Sequence, residues 1–258
     1  MNSQFQSPRE ARPSMSGASG NVAAFPSGSA LLGAGAVIVW NDVTEAGREQ
    51  FYDWHDKEHI PERLAIPGFR RGRRYIRPGH SPQWLTLYEA DDIDIVVSPG
   101  YLERLNAPTP RTTRTLQYFR NTSRAVCRIV SSAGSSTGGH MLAMRLDVPA
   151  AQCEAMCDYL RTNAFPRALA LTGLVACHLY AADQDASHLR TAESNTREFD
   201  VPSWVLLAEA TTAGAAEQAR ALIEGPALRR LGVVVRGDAA VYSLEICRLA
   251  SPTAASSN

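Results

Sequence analysis

No surplus of charge marks this chain of 258 residues, in which 26 Lys and Arg balance 26 Asp and Glu. Electrostatic binding of nucleic acid or of a membrane surface needs a basic excess, so neither partner is expected. No apolar run approaches the roughly 20 residues of a bilayer-crossing helix. Cysteine is scarce: Cys127, Cys153, Cys157, Cys177 and Cys247 have no regular spacing. That excludes a disulfide framework and reads as a reduced, cytoplasmic chain. Cys153 and Cys157 sit four apart without a second Cys/His pair at zinc-finger spacing, so they read as buried thiols. A Gly-x-Ser-x-Gly elbow, a Gly-rich phosphate loop and a dinucleotide fingerprint are all missing. What remains is an ordinary globular balance, 45% apolar and 20% charged.

The ends are poor in apolar residues. Residues 1–33, rich in Ser, Gly and Pro, read as a disordered tail, and 251–258 as a second one. The N-terminal stretch lacks the basic start and apolar core of a secretory signal. Between the tails the chain says one thing twice. Residues 34–130 read strand, helix, strand, strand, helix, strand, with the first helix spanning 44–64 and ended by Pro67-Gly68. The run 131–139, Ser-Ser-Ala-Gly-Ser-Ser-Thr-Gly-Gly, reads as a flexible linker. Residues 140–250 then repeat the order. The letters repeat too: Trp84-Leu85-Thr86-Leu87-Tyr88-Glu89-Ala90 matches Trp204-Val205-Leu206-Leu207-Ala208-Glu209-Ala210. In the second half 181–202 is a polar insertion. The expected fold is α+β, two tandem ferredoxin-like β-α-β-β-α-β units whose sheets meet to form an intrachain α/β-barrel.

Chemistry concentrates in one segment. Two histidines and three carboxylates fall within His55-Asp56-Lys57-Glu58-His59-Ile60-Pro61-Glu62, behind the aromatics Phe51, Tyr52 and Trp54. Imidazole moves protons near neutral pH, which makes His59 and His55, with Glu58 to orient a ring, the candidate catalytic residues. A helix C-terminus at this point would favour imidazolium. The structural counterpart is a histidine that only caps the helix end. Arg70, Arg71, Arg73, Arg74 and Arg77 read as a solvated strand edge with one or two guanidiniums free for a small anion. Arg73 and Tyr75 share one strand face, and an inward Arg needs an anionic partner. Trp54, Arg73, Tyr75, Trp84 and Tyr88 are therefore the candidate ligand-binding residues, with core packing as the plainer reading for the strand aromatics.

Segment 54–63, followed by Pro67-Gly68-Phe69-Arg70-Arg71-Gly72-Arg73-Arg74-Tyr75, resembles the dimeric α/β-barrel superfamily, with the EthD-like branch nearest. The resemblance implies a cavity between sheet and helices and a small apolar or aromatic ligand. It also implies cofactor-free acid/base chemistry of lyase, isomerase or monooxygenase type, in which His59 matches the family's acting histidine. His55 stands where many members carry Tyr. In the second half Asn163-Ala164-Phe165-Pro166-Arg167 keeps a Pro and an Arg but no histidine, implying one working site per chain. Neither a metal nor an organic cofactor is expected. His55-x-x-Glu58-His59 also fits an inverted zinc-peptidase pattern, yet no third ligand follows. Haem, bound by some relatives, would need His178 or His140 as axial ligand. The rival class is a non-catalytic or stress-related module holding a hydrophobic ligand. A homodimer of such fused chains is a further expectation.

Overall fold

The computed structural model describes residues 29–251, so the expectations for 1–28 and 252–258 lie outside the described residues. Strands β1 (Gly35–Val43), β2 (Phe69–Ile76), β3 (Trp84–Ala90) and β4 (Phe119–Ala133) form the first half of a closed sheet. Strands β5 (His140–Asp147), β6 (Leu174–Ala182), β7 (Trp204–Ala210) and β9 (Ala240–Leu249) form the second, with β8 (Val234–Val235) a short addition to β5. Around the ring the order is β4-β1-β3-β2-β9-β5-β7-β6 and back to β4, antiparallel at every step. The halves meet at two corresponding seams, β2 with β9 and β4 with β6. The result is an α+β closed eight-stranded antiparallel barrel with its helices outside.

Alternation decides which residues go where. Along β1, Ala36, Ile38 and Trp40 point into the barrel, and Val37, Val39 and Asn41 point outward. Both faces are covered, so both are mostly apolar. The outer face of the first half carries α1 (48–64), α2 (Pro99–Asn106) and α3 (Pro110–Leu116). The outer face of the second carries α4 (153–169), while α5 (Gln184–Ser187) packs back on β4 of the first half; α6 (Ala213–Ile223) and α7 (Pro226–Arg230) lie on the second again. After α1 and α4 the chain turns through Gly68 and Gly173, at φ +96° and +88°. A side chain at Gly68 would also meet Ile95 within 2.6 Å. Each turn leads into a strand with a bulge at its start, between Phe69 and Arg71 and between Leu174 and Ala176.

Several boundaries differ from the sequence reading. Ala30 and Leu31, assigned to the tail, are buried, and Leu31 packs inside the barrel. Ser131–Ala133, assigned to the linker, extend β4 and pair with β6. Helix α3 was missed, because its sequence PRTTRTL has few apolar residues; Pro110 at its start and the Thr109 hydroxyl, accepting from the Thr112 N–H, hold it. Pro61 does not stop α1. The five residues His55–His59 form a π-helical turn in which the Ile60 N–H donates to the His55 carbonyl, so a missing N–H at Pro61 is accommodated and the helix runs on to Leu64. The Asp56 carbonyl instead accepts from Arg248, at 3.0 Å. Helix α4 repeats this at Leu160–Ala164, followed by Phe165-Pro166. Aligning the prolines places Ala164 at His59, Leu160 at His55 and Ala168 at Arg63, so Arg167 is not the counterpart of Arg63.

The arginine run is not a solvated edge. Arg71, Arg73 and Arg74 are buried. Inside the barrel Arg73 donates to Glu89 at 2.6 Å and to Glu209 at 2.9 Å, while Arg71 donates to Glu89 at 2.8 and 2.9 Å. The anion that an inward Arg requires is thus the protein's own pair of carboxylates, one from each half. Glu209 also accepts from the Gly138 N–H at 2.9 Å. Burial alone would raise its carboxyl, but His178 beside it, Arg73 and that N–H together bring it down to about 2.

Candidate active site

A cavity of about 580 Å³, its open mouth included, lies between α1 and the outer face of the first half's sheet. Trp54, His55, His59 and Arg63 reach it from α1, Tyr88 from β3, and Phe119 and Arg124 from β4. Tyr101 and Leu105 come from α2. Glu193 and Arg197 come from the second half's polar insertion, which folds back over the first half. The Glu193 N–H donates to the Leu105 carbonyl, and the Ala192 N–H to Asn106.

The π-turn sets the geometry of the histidines. An ordinary helix stacks residues three and four apart, whereas the wider turn brings residues five apart into register. The His59 ring therefore lies on Trp54, centroids 4.3 Å apart, and 5.5 Å from His55. Trp54 is fixed in turn by its indole N–H on Thr112, at 2.9 Å. Glu58 is turned away. It accepts from Thr109 and faces Arg111 at 3.5 Å, outside the cavity lining.

His55 is held in one tautomer. Arg74 lies 3.0 Å from its Nδ1, and a guanidinium only donates, so Nδ1 is the bare acceptor and Nε2 carries the hydrogen. That Nε2–H faces the Tyr88 oxygen at 3.5 Å, which leaves the Tyr88 proton free for a ligand. Burial raises the Tyr88 phenol far above its ordinary range, so it stays a donor. His59 is half-buried as a whole, but its Nδ1 is enclosed and has no hydrogen-bond partner among the described residues. Burial, then the Arg63 charge, then His55 and Arg197 hold its imidazole well below the usual pKa. Burial and Arg74 do the same for His55. Both rings are neutral at pH 7, the reverse of the imidazolium expected from a helix end. That expectation failed because α1 does not end there.

The depressed pKa values carry a stability consequence. Below pH 6.5 the unfolded chain takes up protons on these histidines while the folded chain does not, so stability falls as pH drops through that value. By pH 5.5 the loss is about 1 kcal/mol per histidine. Urea unfolding of wild type and of a His55→Phe/His59→Phe variant at pH 7.5 and 5.5 checks this: the variant's loss is expected to be smaller by about 2 kcal/mol. An equal loss in both would show that the rings are open to water.

Of the sequence candidates, Trp54, His55, His59 and Tyr88 share the cavity. Arg73 and Tyr75 face the barrel interior, and Trp84 packs against Phe51, 5.1 Å between centroids. A zinc ion does not fit His55 and His59, because Nδ1 of His55 is taken by a guanidinium and no cluster of three ligating side chains exists among the described residues. Haem does not fit His178, which is fully buried in the barrel beside Glu209, or His140, a strand residue next to Ser243. Arg63, Tyr101, Arg124, Glu193 and Arg197 were missed. Arg63 lay inside the His-motif and was within reach; the insertion's residues depend on a fold-back that no local pattern encodes.

A barrel closed by eight antiparallel strands, its helices outside and a cavity under one of them, defines the dimeric α/β-barrel fold. No sequence family and no curated protein matches the chain. Among solved structures it is similar to an anthrone oxidase-like protein, with 13% identity and a TM-score of 0.61, covering 86% of this chain and 95% of that one. It is also similar to a chlorite dismutase variant from Candidatus Nitrospira defluvii, with 10% identity and a TM-score of 0.52, covering 83% and 92%. At these identities the likeness is one of fold. Among the described residues no helix is long and apolar enough to cross a membrane.

Proposed function

We propose that this chain is a small-molecule enzyme that removes a proton from an aromatic ketone, phenol or lactone, with His59 as the base. The observation that carries this is the neutral His59 ring, stacked on Trp54 and exposed to a cavity that also presents the Tyr88 hydroxyl. A neutral imidazole accepts a proton; a neutral phenol donates a hydrogen bond to the oxygen on which charge develops. The low basicity of His59 demands an acidic substrate, one whose enolate is delocalised over a ring. The guanidiniums that make imidazolium costly also favour that enolate, so the charge cost is offset once both form together. Isomerase, lyase and oxygenase chemistry all begin from such an enolate, the last with dioxygen as co-substrate. That one structural neighbour is an anthrone oxidase-like protein supports the substrate class, since anthrones are enolisable aromatic ketones.

The finer ancestry is part of the same proposal. Repeated element order, paired glycine turns, paired strand-entry bulges and paired π-turns support a tandem duplication of a ferredoxin-like unit, and the motif at 54–75 supports the EthD-like branch. In the second unit Leu160, Ala164 and Ala208 stand at the positions of His55, His59 and Tyr88 and are packed shut, which supports one site per chain. The test is proton exchange. With 2-tetralone or anthrone in deuterated buffer, the protein is expected to speed incorporation of deuterium at the acidic carbon well above the buffer rate, read by NMR. A rate equal to buffer for every enolisable aromatic ketone tried would leave the rival reading, a ligand-binding module.

A further inference from the structure

Three guanidiniums line the cavity, from Arg63, Arg124 and Arg197, and a single carboxylate, Glu193, faces them. Glu193 is committed to Arg63. Glu62 stands 3.7 Å from Arg63, beyond hydrogen-bond reach and outside the lining. Arg124 makes only long contacts, 3.3 Å to the Ser187 carbonyl and 3.4 Å to the Tyr101 hydroxyl. Arg197 reaches Thr196 at 3.2 Å and the Glu193 carbonyl at 3.5 Å. Arg124 and Arg197, both half-buried, thus have no carboxylate in salt-bridge reach among the described residues; Arg197 lies over the Phe119 ring at 5.2 Å, and burial brings it down to about 10. Elsewhere the chain pairs its buried arginines with carboxylates, as Arg71, Arg73 and Arg74 show. Leaving two unpaired here is expensive unless something else supplies the anion.

The donors are also unspent. Arg63 Nη1 and Arg197 Nε are enclosed and have no hydrogen-bond partner among the described residues. They come from two different elements, α1 and the insertion. Arg124 and Arg197 also line an adjoining recess of about 410 Å³, which His59, Trp54 and Tyr88 do not reach. Arg124 and Arg197 thus extend beyond the part of the site that His59 faces, while Arg63 and Arg197 remain near enough to act on its charge.

We propose that the ligand carries a permanent carboxylate, separate from its reacting carbon and held by Arg63, Arg124 and Arg197, on an aromatic body that lies against Trp54 and Phe119. Two unspent N–H groups from two guanidiniums lining one cavity suit the two oxygens of one carboxylate, and guanidinium is the natural partner for it. The ligand class becomes an aromatic acid, a keto or hydroxy acid in which the carboxylate anchors and the carbonyl or phenol faces His59. This rests on the cavity being the ligand site of the function proposed above, but not on catalysis there.

The test is therefore a binding measurement, independent of turnover. 2-Naphthoate and 2-naphthamide have the same shape and differ in charge. Calorimetry on the full chain is expected to show the naphthoate binding about ten- to hundredfold more tightly, the range of hydrogen bonds to charged groups. In Arg197→Gln and in Arg124→Gln that preference is expected to shrink about tenfold, with naphthamide affinity unchanged and the melting temperature confirming that each variant folds. Lys at 197 is expected to restore part of the preference. Equal affinity for the two probes, no binding of either, or a preference that survives both variants would overturn the proposal. So would inorganic phosphate competing as well as naphthoate, which would mark a site for any small anion. Naphthoate binding intact in His59→Ala alongside absent proton exchange in wild type would separate failure of the catalytic reading from failure of this one.

Discussion

Replacing His59 with Ala is expected to lower turnover by about 10²- to 10⁴-fold, the usual share of a positioned proton-transfer group. Ligand affinity and folding are expected to change little. The Nδ1 of His59 has no hydrogen-bond partner among the described residues, so its removal orphans none of them; what is lost is the face of one ring on Trp54, worth about 1 kcal/mol. For a chain of this size that is roughly a 2–4 °C drop in melting temperature. His59→Gln is the sharper probe, because it keeps a polar group of similar reach and loses the base. Deuterium exchange, calorimetry and thermal melts on the three proteins read the outcome. Turnover that persists in both variants removes His59 from the chemistry. Affinity that falls in step with turnover assigns it to binding.

The second large effect is on stability and lies far from the cavity. Arg73→Met is expected to cost about 3–5 kcal/mol, or roughly 6–20 °C in melting temperature, because it leaves Glu209 charged in the barrel without its guanidinium partner. Glu89 keeps Arg71 and suffers less. Adding Glu209→Gln to Arg73→Met removes the stranded charge, so the double variant is expected to regain a large part of the loss. Urea denaturation of the two single variants and the double variant makes the cycle. A neutral effect of Arg73→Met would mean that water reaches the barrel interior and that the two halves are not joined through this ion pair.

How legible this was in the sequence depended on distance along the chain. Apolar runs bounded by turns located every ring strand, and Trp84–Ala90 and Trp204–Ala210 were placed to the residue, because a strand covered on both faces reads as an unbroken apolar run. The π-turn was not legible. A regular helix, with its spacing of three and four, would put Glu58 beside Trp54; the actual turn puts His59 there and sends Glu58 outward. The signal was present in duplicate, as a Pro within each long amphipathic segment at Pro61 and Pro166. Alternation put Arg73 on one face with Tyr75, but its partner Glu209 is 136 residues away and only closure of the barrel brings it near. The insertion defeated local reasoning altogether. Its polarity suggested a loop in water, whereas Glu193 and Arg197 are polar because they face a site built by the other half.

The two seams that close the barrel, β2 on β9 and β4 on β6, lie within a single polypeptide. Halves joined in this way face each other at a fixed effective concentration, so dilution cannot part them. The covalent join also frees the halves from having to match. When one gene product meets its own copy, every residue is placed twice, and a histidine that serves one site must be tolerated in the other. Here His59 faces a cavity and Ala164, at the same turn of the other helix, closes a core. A segment grown from one half can then cover the other without obstructing itself.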